Sequence, residues 1–511
     1  MQKDLKFLHI ITSLLLCATT VIAQEQEFSL TPLSGLEGRV ETQYSFSEGT
    51  TPLWLNANKY GMSSLESHNA HVRMKAERKI NNDSAKQWGI GYAADLALAD
   101  HFTSHLIVQQ LFAKIRYRKA SITIGQKEEP YYLKPRDLST GSQTLGINSR
   151  PMPGIRIALD DYSDFLHGWM GVKGHFFYGI QTDGNFQKER EAEKYTDNII
   201  VHHKAGFLRF GKRDRPITVE AGLEMATQFG GTTYKADGTK ISYKKDFISF
   251  IKAIYGGMSD EESGNYHSSL GNIVGSLMLR VNYQQPSFSI SAYADHLFED
   301  NSQLIHLDYD GYGEGEEWDK KKENRMLLYP LRDILAGIEL RLKHFHPLNH
   351  IVIEYINSRD QSGPIYHDHS MVIPDHIGGL DNYMNHGIYG SWSHWGQIIG
   401  NPLYRAPLYD GHALKTTNNR FTAWHIGLAG NPTPSLSYRF LATWQKGWGT
   451  YDNPFTFMQR NFSMLAETEC NLNSIVKGIS VRGAFALDRG SILGDNTGAQ
   501  LSIIWNGILC K

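Results

Sequence analysis

The sequence predicts an all-β fold, a single transmembrane outer-membrane β-barrel of roughly 16 to 20 antiparallel strands. Three observations predict it. Apolar and polar residues alternate with period two in segments of about 8 to 12 residues, the length of a tilted bilayer crossing. Aromatic residues make up 12% of the chain and glycines number 48, which suits many strands joined by many turns. No stretch after residue 23 reaches the roughly 18 consecutive apolar residues of a membrane helix. The 511 residues carry 51 basic and 53 acidic side chains. That balance is too neutral, in a chain this apolar, for disorder, and it leaves no cation excess for nucleic acid. Three cysteines are too few for a disulfide-built scaffold.

The first element is a leader. Lys3 and Lys6 precede a mostly apolar run from Phe7 to Cys17, and Val21-Ile22-Ala23 stands before Gln24. This is the pattern of a cleaved signal peptide over residues 1–23, with residues 24–511 forming one barrel domain. The short apolar core and polar flank favour cleavage over a membrane anchor. Cys470 and Cys510 then remain, and spacing alone leaves their pairing open.

Strands follow near residues 34–46, 69–80, 86–99, 104–117, 154–161, 166–180, 197–211, 216–228 and 246–256. Next, Leu277, Leu279, Val281 and Tyr283 alternate with Ser276, Met278, Arg280 and Asn282. Phe288, Ile290, Ala292 and Ala294 share a face beyond the turn-like Gln285-Pro286. Ile338, Leu340 and Leu342 alternate with Glu339, Arg341 and Lys343, and Ile351, Ile353 and Tyr355 with Val352, Glu354 and Ile356. Segments 421–430 and 434–446 are followed by a strand facing Phe485 and Leu487 away from Ala486 and Asp488. A last strand puts Leu501, Ile503, Trp505 and Leu509 on one side. A soluble β-sandwich would alternate in the same way. Aromatics at many strand ends favour the membrane, where they form interfacial girdles: Tyr44, Phe46, Trp88, Phe176 to Tyr178, Phe207, Phe210, Tyr283, Phe440 and Trp444.

Four stretches break the pattern. Residues 125–153 crowd charge, turns and prolines, as a loop folded into a polar lumen or an ordinary solvated loop would. Residues 308–324 are acidic and then basic, a long external loop. Asp308, Asp310, Glu314, Glu316 and Glu317 there lack the spacing of a calcium loop. His367, Asp368, His369, Asp375 and His376 are of metal-ligating type, but a polar loop supplies the same letters and no metal is assigned. Residues 378–411 hold Trp392, Trp395, Tyr404 and Tyr409 beside His394 and Arg405. Flat rings can cover a sugar's apolar face while guanidinium and amide groups meet its hydroxyls. Internal packing in a plug or at a rim is the competing explanation.

No G-x-S-x-G, H-E-x-x-H or phosphate-binding loop is present. Asp160 and Asp161 are strand neighbours whose side chains point to opposite faces. No catalytic residue and no cofactor is therefore expected, although a glycan- or lipid-modifying enzyme built from distant carboxylates is a third alternative.

Several blocks resemble the Wzi-like capsule assembly outer-membrane proteins, in the form found in Bacteroidota. They are Gly125-Gln126-Lys127-Glu128 with Leu138-Ser139-Thr140-Gly141-Ser142 and Asn148-Ser149-Arg150-Pro151, then His202-His203-Lys204, Glu354-Tyr355, Arg359-Asp360-Gln361-Ser362-Gly363-Pro364, His394-Trp395-Gly396 and Gly400-Asn401-Pro402-Leu403 with Arg405. Gln126 and Ser149 depart from the family's Gly-Arg-Lys-Glu and Asn-Ala-Arg-Pro. The resemblance implies about 18 strands and a lumen partly occluded by inward-folded loops or short helices. It implies a lectin-like, non-catalytic, monomeric barrel in outer-membrane lipid that holds an exported surface polysaccharide. Trp392, Trp395, Tyr404, Arg405 and Tyr409 are the expected glycan contacts. Lys127, Glu128, Arg136, Asp137, Arg150, Arg209, Glu354 and Arg359 are the expected lumen polar network. A porin-like channel for small polar solutes has the same strand signature and is the main alternative.

Overall fold

A computed structural model describes residues 33–510, apart from 191–192, 256–257, 264–265, 270, 300–306, 310–323, 327–331, 362–365, 369–375, 379–381 and 412–413. The leader, residues 310–323 of the acidic loop, and residues 362–365 and 369–375 of the histidine-rich loop lie outside the described residues.

Eighteen antiparallel strands close into one barrel. In chain order they are β1 (Leu36–Glu48), β2 (His68–Arg78), β3 (Trp88–Asp100), β4 (Leu106–Tyr117), β5 (Ala120–Gln126) and β6 (Pro153–Phe165). Then come β7 (Met170–Ile180), β8 (Ile200–Phe210), β9 (Ile217–Phe229), β10 (Asn272–Gln284), β11 (Phe288–Glu299) and β12 (Ile334–Leu342). The last six are β13 (His350–Asn357), β14 (Phe421–Thr433), β15 (Leu436–Gly449), β16 (Pro454–Asn471), β17 (Ile479–Gly490) and β18 (Asn496–Cys510). Each strand pairs with the next, and β1 closes the wall on β18 from Leu36↔Cys510 to Glu48↔Thr497. Closure leaves no free strand edge, the condition hydrocarbon imposes. No helix among the described residues is long and apolar enough to cross a membrane.

The two ends differ. Connections after even-numbered strands are short, such as 118–119, 285–287 and 434–435. Those after odd-numbered strands include 49–67, 127–152, 181–199, 230–271 and 358–420. The start of β1 at Leu36 and the end of β18 at Cys510 lie at the short-turn end. This asymmetry is that of outer-membrane barrels. The period-two expectation holds along the wall. Leu277, Leu279, Val281 and Tyr283 are exposed outward while Ser276 and Met278 are buried inside. Phe485 and Leu501 likewise face out, opposite Ala486 and Ser502. Aromatic pairs mark both edges: Trp88 against Tyr117 at 4.7 Å near the short turns, Trp444 against Phe462 at 5.1 Å toward the long loops.

Four expectations need correction. Residues 246–256 form a helix, Phe247–Tyr255, not a strand. The run Phe-Ile-Ser-Phe-Ile-Lys is apolar on both alternate faces and shows no clear period, and a cap decides: Asp246 Oδ1 accepts the Ser249 N–H and hydroxyl, each at 2.8 Å. Phe177 and Phe207 are no girdle residues; both point into the lumen, where Phe177 stacks on His203 and Phe207 is buried with Leu133 and Tyr162. β5 is missed because it has only seven residues. β16 is missed because Arg460 and Thr468 share a register with Phe462 and Met464, which dilutes the alternation.

Three segments fold inward and fill the barrel: 49–67, carrying the short helix Leu53–Asn56, 127–152, and 382–411. Leu53, Trp54, Leu138, Trp392, Ile398 and Tyr404 pack with wall residues such as Val274, Leu335, Phe421 and Leu465 in one buried cluster.

Candidate functional site

The plug is held by buried polar joints. Wall residue Glu354 accepts hydrogen bonds from the Ser139 hydroxyl at 2.5 Å, from Thr140 N–H and hydroxyl at 2.8 Å each, and from the Tyr293 hydroxyl at 2.7 Å. Lys134 reaches Asp295 at 2.5 Å, and Asp295 also accepts the Gln143 N–H at 3.1 Å. Trp54 donates to Thr443 at 3.2 Å, and Leu53 N–H donates to Asp488 at 3.0 Å. The inward segments also grip each other. Trp392 Nε1 donates to the Thr144 carbonyl at 2.8 Å, Asn148 to the Ile398 carbonyl at 3.0 Å, and Gln397 to Asn56 at 2.9 Å. Buried groups satisfied in this way specify one docked position, because each lost partner leaves a costly orphan.

The expected glycan contacts separate on this frame. Trp392 and Tyr404 are fully buried, so neither ring has a face open to a sugar. Arg405 is tied to Asp410 at 2.5 Å and to Thr417 at 2.7 Å in its own loop, and to the Ile492 carbonyl at 3.0 Å in the β17–β18 connection, so its fork is fully engaged within the protein. Tyr409 packs against the buried cluster. These four are plug residues, since the apolar rings that could stack on sugar also filled the lumen. Trp395 differs: it is half-buried at the long-loop end.

Trp395 is held from several sides. Its N–H donates to Asp183 at 2.9 Å and its Nε1 to Thr182 at 3.3 Å. Phe186, on the helix Gly184–Arg190, stands 6.1 Å away. The Arg150 guanidinium lies 4.5 Å over the indole and donates to Ser104 at 2.9 Å and Thr103 at 2.6 Å. Burial pushes Arg150 down to about 10, which leaves it a cation at neutral pH. Behind it, Thr182 N–H donates to His394 Nε2 at 3.1 Å, so the other ring nitrogen carries the proton toward the Arg150 carbonyl at 2.8 Å. Burial holds His394 below its ordinary range. A second aromatic group at this end, missed in the sequence, stacks Arg359 over Trp448 at 4.5 Å and Arg420 over Tyr451 at 3.7 Å.

The eight expected lumen residues do not form one network. Lys127 pairs with Glu129 at 2.8 Å, and Glu128 pairs with Arg73 at 2.9 Å. Arg136 donates to the Tyr60 hydroxyl at 2.7 Å, and the Asp137 carbonyl accepts from Arg439 at 3.1 Å. Arg150 supports Trp395, Glu354 anchors the plug, and Arg209 binds Asp164 at 2.7 Å near the short turns. Arg359 sits on the outer rim. Sequence proximity of charges carried no information about which strand register each would take.

Under the plug lies a cavity of about 820 Å³ against the short-turn halves of β1, β2, β15, β16 and β17. Arg39, Arg73, Arg439 and Arg482 line it with Glu41, Glu467 and Glu469. Most of these charges are paired, for example Arg482 with Glu469 at 2.7 Å and Arg439 with Glu467 at 3.0 Å. Cys470 and Cys510 are not joined in a disulfide.

These features define the class: an outer-membrane β-barrel of 18 strands with a plugged lumen. Among solved structures the chain is similar to Wzi of Escherichia coli, an outer-membrane protein involved in group 1 capsule assembly and described as a carbohydrate-binding β-barrel. The TM-score is 0.53 at 11% identity, over 93% of this chain and 85% of that one. OprD of Pseudomonas aeruginosa matches at a TM-score of 0.44 and 10% identity, over 93% of this chain and 96% of that one. OccK3 of the same organism matches at 0.46 and 12%, over 93% and 97%. No protein-family model matches the chain, and no curated protein matches it.

Proposed function

We propose that this barrel is an exported, lectin-like outer-membrane protein that retains a capsular or other surface polysaccharide, a member of the Wzi-like kind in its Bacteroidota form. The observation that carries this reading is the plug. With Trp392, Tyr383 and Tyr404 fully buried across the lumen, the long-loop end presents a surface in place of a pore mouth. Trp395, braced by Arg150, offers a ring on that surface. Many copies, each with modest affinity, would hold one polymer by multivalency. The barrel acts without catalysis and as a monomer in outer-membrane lipid.

The test compares polysaccharide retained on cells lacking the protein, cells carrying it, and cells carrying Trp395→Ala. Equal retention with and without the protein overturns the role. Full retention by the variant removes Trp395 but not the role. The channel reading is favoured by one observation, the charged 820 Å³ cavity. A steady large conductance of the purified protein in a planar bilayer would decide for it.

A further inference from the structure

The helix Phe247–Tyr255, here α1, lies outside the barrel wall. Tyr178 shares the outward register of β7 with the exposed Phe176 and Ile180. Phe229 shares the outward register of β9 with the exposed Ile217 and Leu223. Both are covered by α1. The Tyr178 hydroxyl donates to the Phe250 carbonyl at 2.6 Å, and the Phe250 ring stands 5.3 Å from Tyr178 and 5.3 Å from Phe229, perpendicular to the latter. Ala253 is fully buried on the same side. The opposite side of α1 carries Phe247, Ile248 and Ile251, which are 78%, 60% and 40% exposed. A helix facing water places polar residues there; this one turns its apolar residues outward from both of its long faces.

We infer that α1 is an interfacial helix immersed in the outer leaflet, with Phe247, Ile248 and Ile251 among lipid acyl chains. Continuity decides the occupant. α1 sits at the long-loop edge of the exposed apolar belt, directly beside Phe176 and Ile180, so the lipid that covers those two reaches α1 without a break. Its flanks fit the same place: Lys244 and Lys245 precede the helix and Lys252 lies within it, where long cationic side chains reach the headgroup layer while their stems remain in apolar surroundings. The helix thereby widens the belt over β7 to β9, where the wall's own outward residues are already covered. The inference is independent of any sugar ligand.

The test places a nitroxide label at Ile248→Cys and, separately, at Ile251→Cys, in a chain whose Cys470 and Cys510 are serine. The full barrel is reconstituted in phosphatidylcholine vesicles, with folding checked by its resistance to unheated detergent. Collision with oxygen, which concentrates in lipid, is compared with collision with a water-soluble nickel chelate. Phe176→Cys supplies the lipid reference and Asp237→Cys, on an exposed turn of the same loop, the water reference. The expected result is an oxygen-to-nickel ratio at both helix positions several-fold above that at Asp237→Cys and close to that at Phe176→Cys. A ratio matching Asp237→Cys overturns the inference. So does protection from both reagents, which would mark a second copy of the chain covering the helix.

Discussion

Thr140 and Glu354 are joined twice: the backbone N–H and the hydroxyl of Thr140 both donate to Glu354 Oε2 at 2.8 Å, between an inward segment and the wall. Both residues are fully buried, so no water stands in for either partner. Replacing Glu354 with alanine strands four donors, from Ser139, Thr140 and Tyr293. The expected cost is about 3 to 5 kcal/mol, with Glu354→Gln losing less because an amide oxygen still accepts. Thermal unfolding in detergent measures the loss. A rise in bilayer conductance in the alanine variant, with the barrel intact, would show that the pair holds the plug.

Gly400 is a second lock. A Cβ there would lie 1.9 Å from the Gln143 carbonyl oxygen, where two inward segments cross backbone to backbone. Gly400→Val therefore separates residues 127–152 from 382–411. Limited proteolysis should cut one of these segments in the variant and neither in the parent. Gly411→Val, with no heavy atom within 4 Å of the added Cβ, should behave as the parent does.

The wall was more legible than the site because a strand's period is local. Leu277, Leu279 and Val281 announce their face within five residues, whatever the rest of the chain does. The plug depends on pairs such as Thr140 with Glu354 and Trp392 with Thr144, which are distant in sequence and joined only by closure of the barrel. Composition identified residues 125–153 and 378–411 as exceptional, but a ring that fills a lumen and a ring that meets a sugar are the same letters. The helix Phe247–Tyr255 was missed for a related reason: its apolar residues show no clear period, and the Asp246 to Ser249 cap was the overlooked sign.

Stability should depend on pH through Asp333, just outside β12. Its carboxylate accepts the N–H groups of Asp360 at 2.9 Å and of Gln361. Burial outweighs these bonds and pushes its pKa up to about 7. A folded-state pKa above the unfolded value means that the protonated form favours folding. Its contribution is full below about pH 4 and is lost as pH rises through about 7. The melting temperature of the parent should fall between about pH 4 and 7 through this group. Asp333→Asn, which cannot ionise, should flatten that fall; an unchanged slope would remove Asp333 as its source.

Trp392 and Trp395 should respond oppositely to substitution, three residues apart. Trp392 is enclosed and its Nε1 bonds the Thr144 carbonyl at 2.8 Å, so Trp392→Phe orphans that carbonyl. It should cost about 1 to 3 kcal/mol of stability and leave glycan binding per folded molecule unchanged. Trp395→Ala removes a half-buried ring stacked on Arg150 at 4.5 Å. Under the proposed glycan role, losing that ring should weaken a single sugar contact while leaving the fold intact. If the proposed polysaccharide role holds, that loss is compounded over every copy on one polymer, so retention should fall more steeply than single-site binding. Binding of isolated glycan and retention on cells, measured for both variants beside their melting temperatures, separates the two roles.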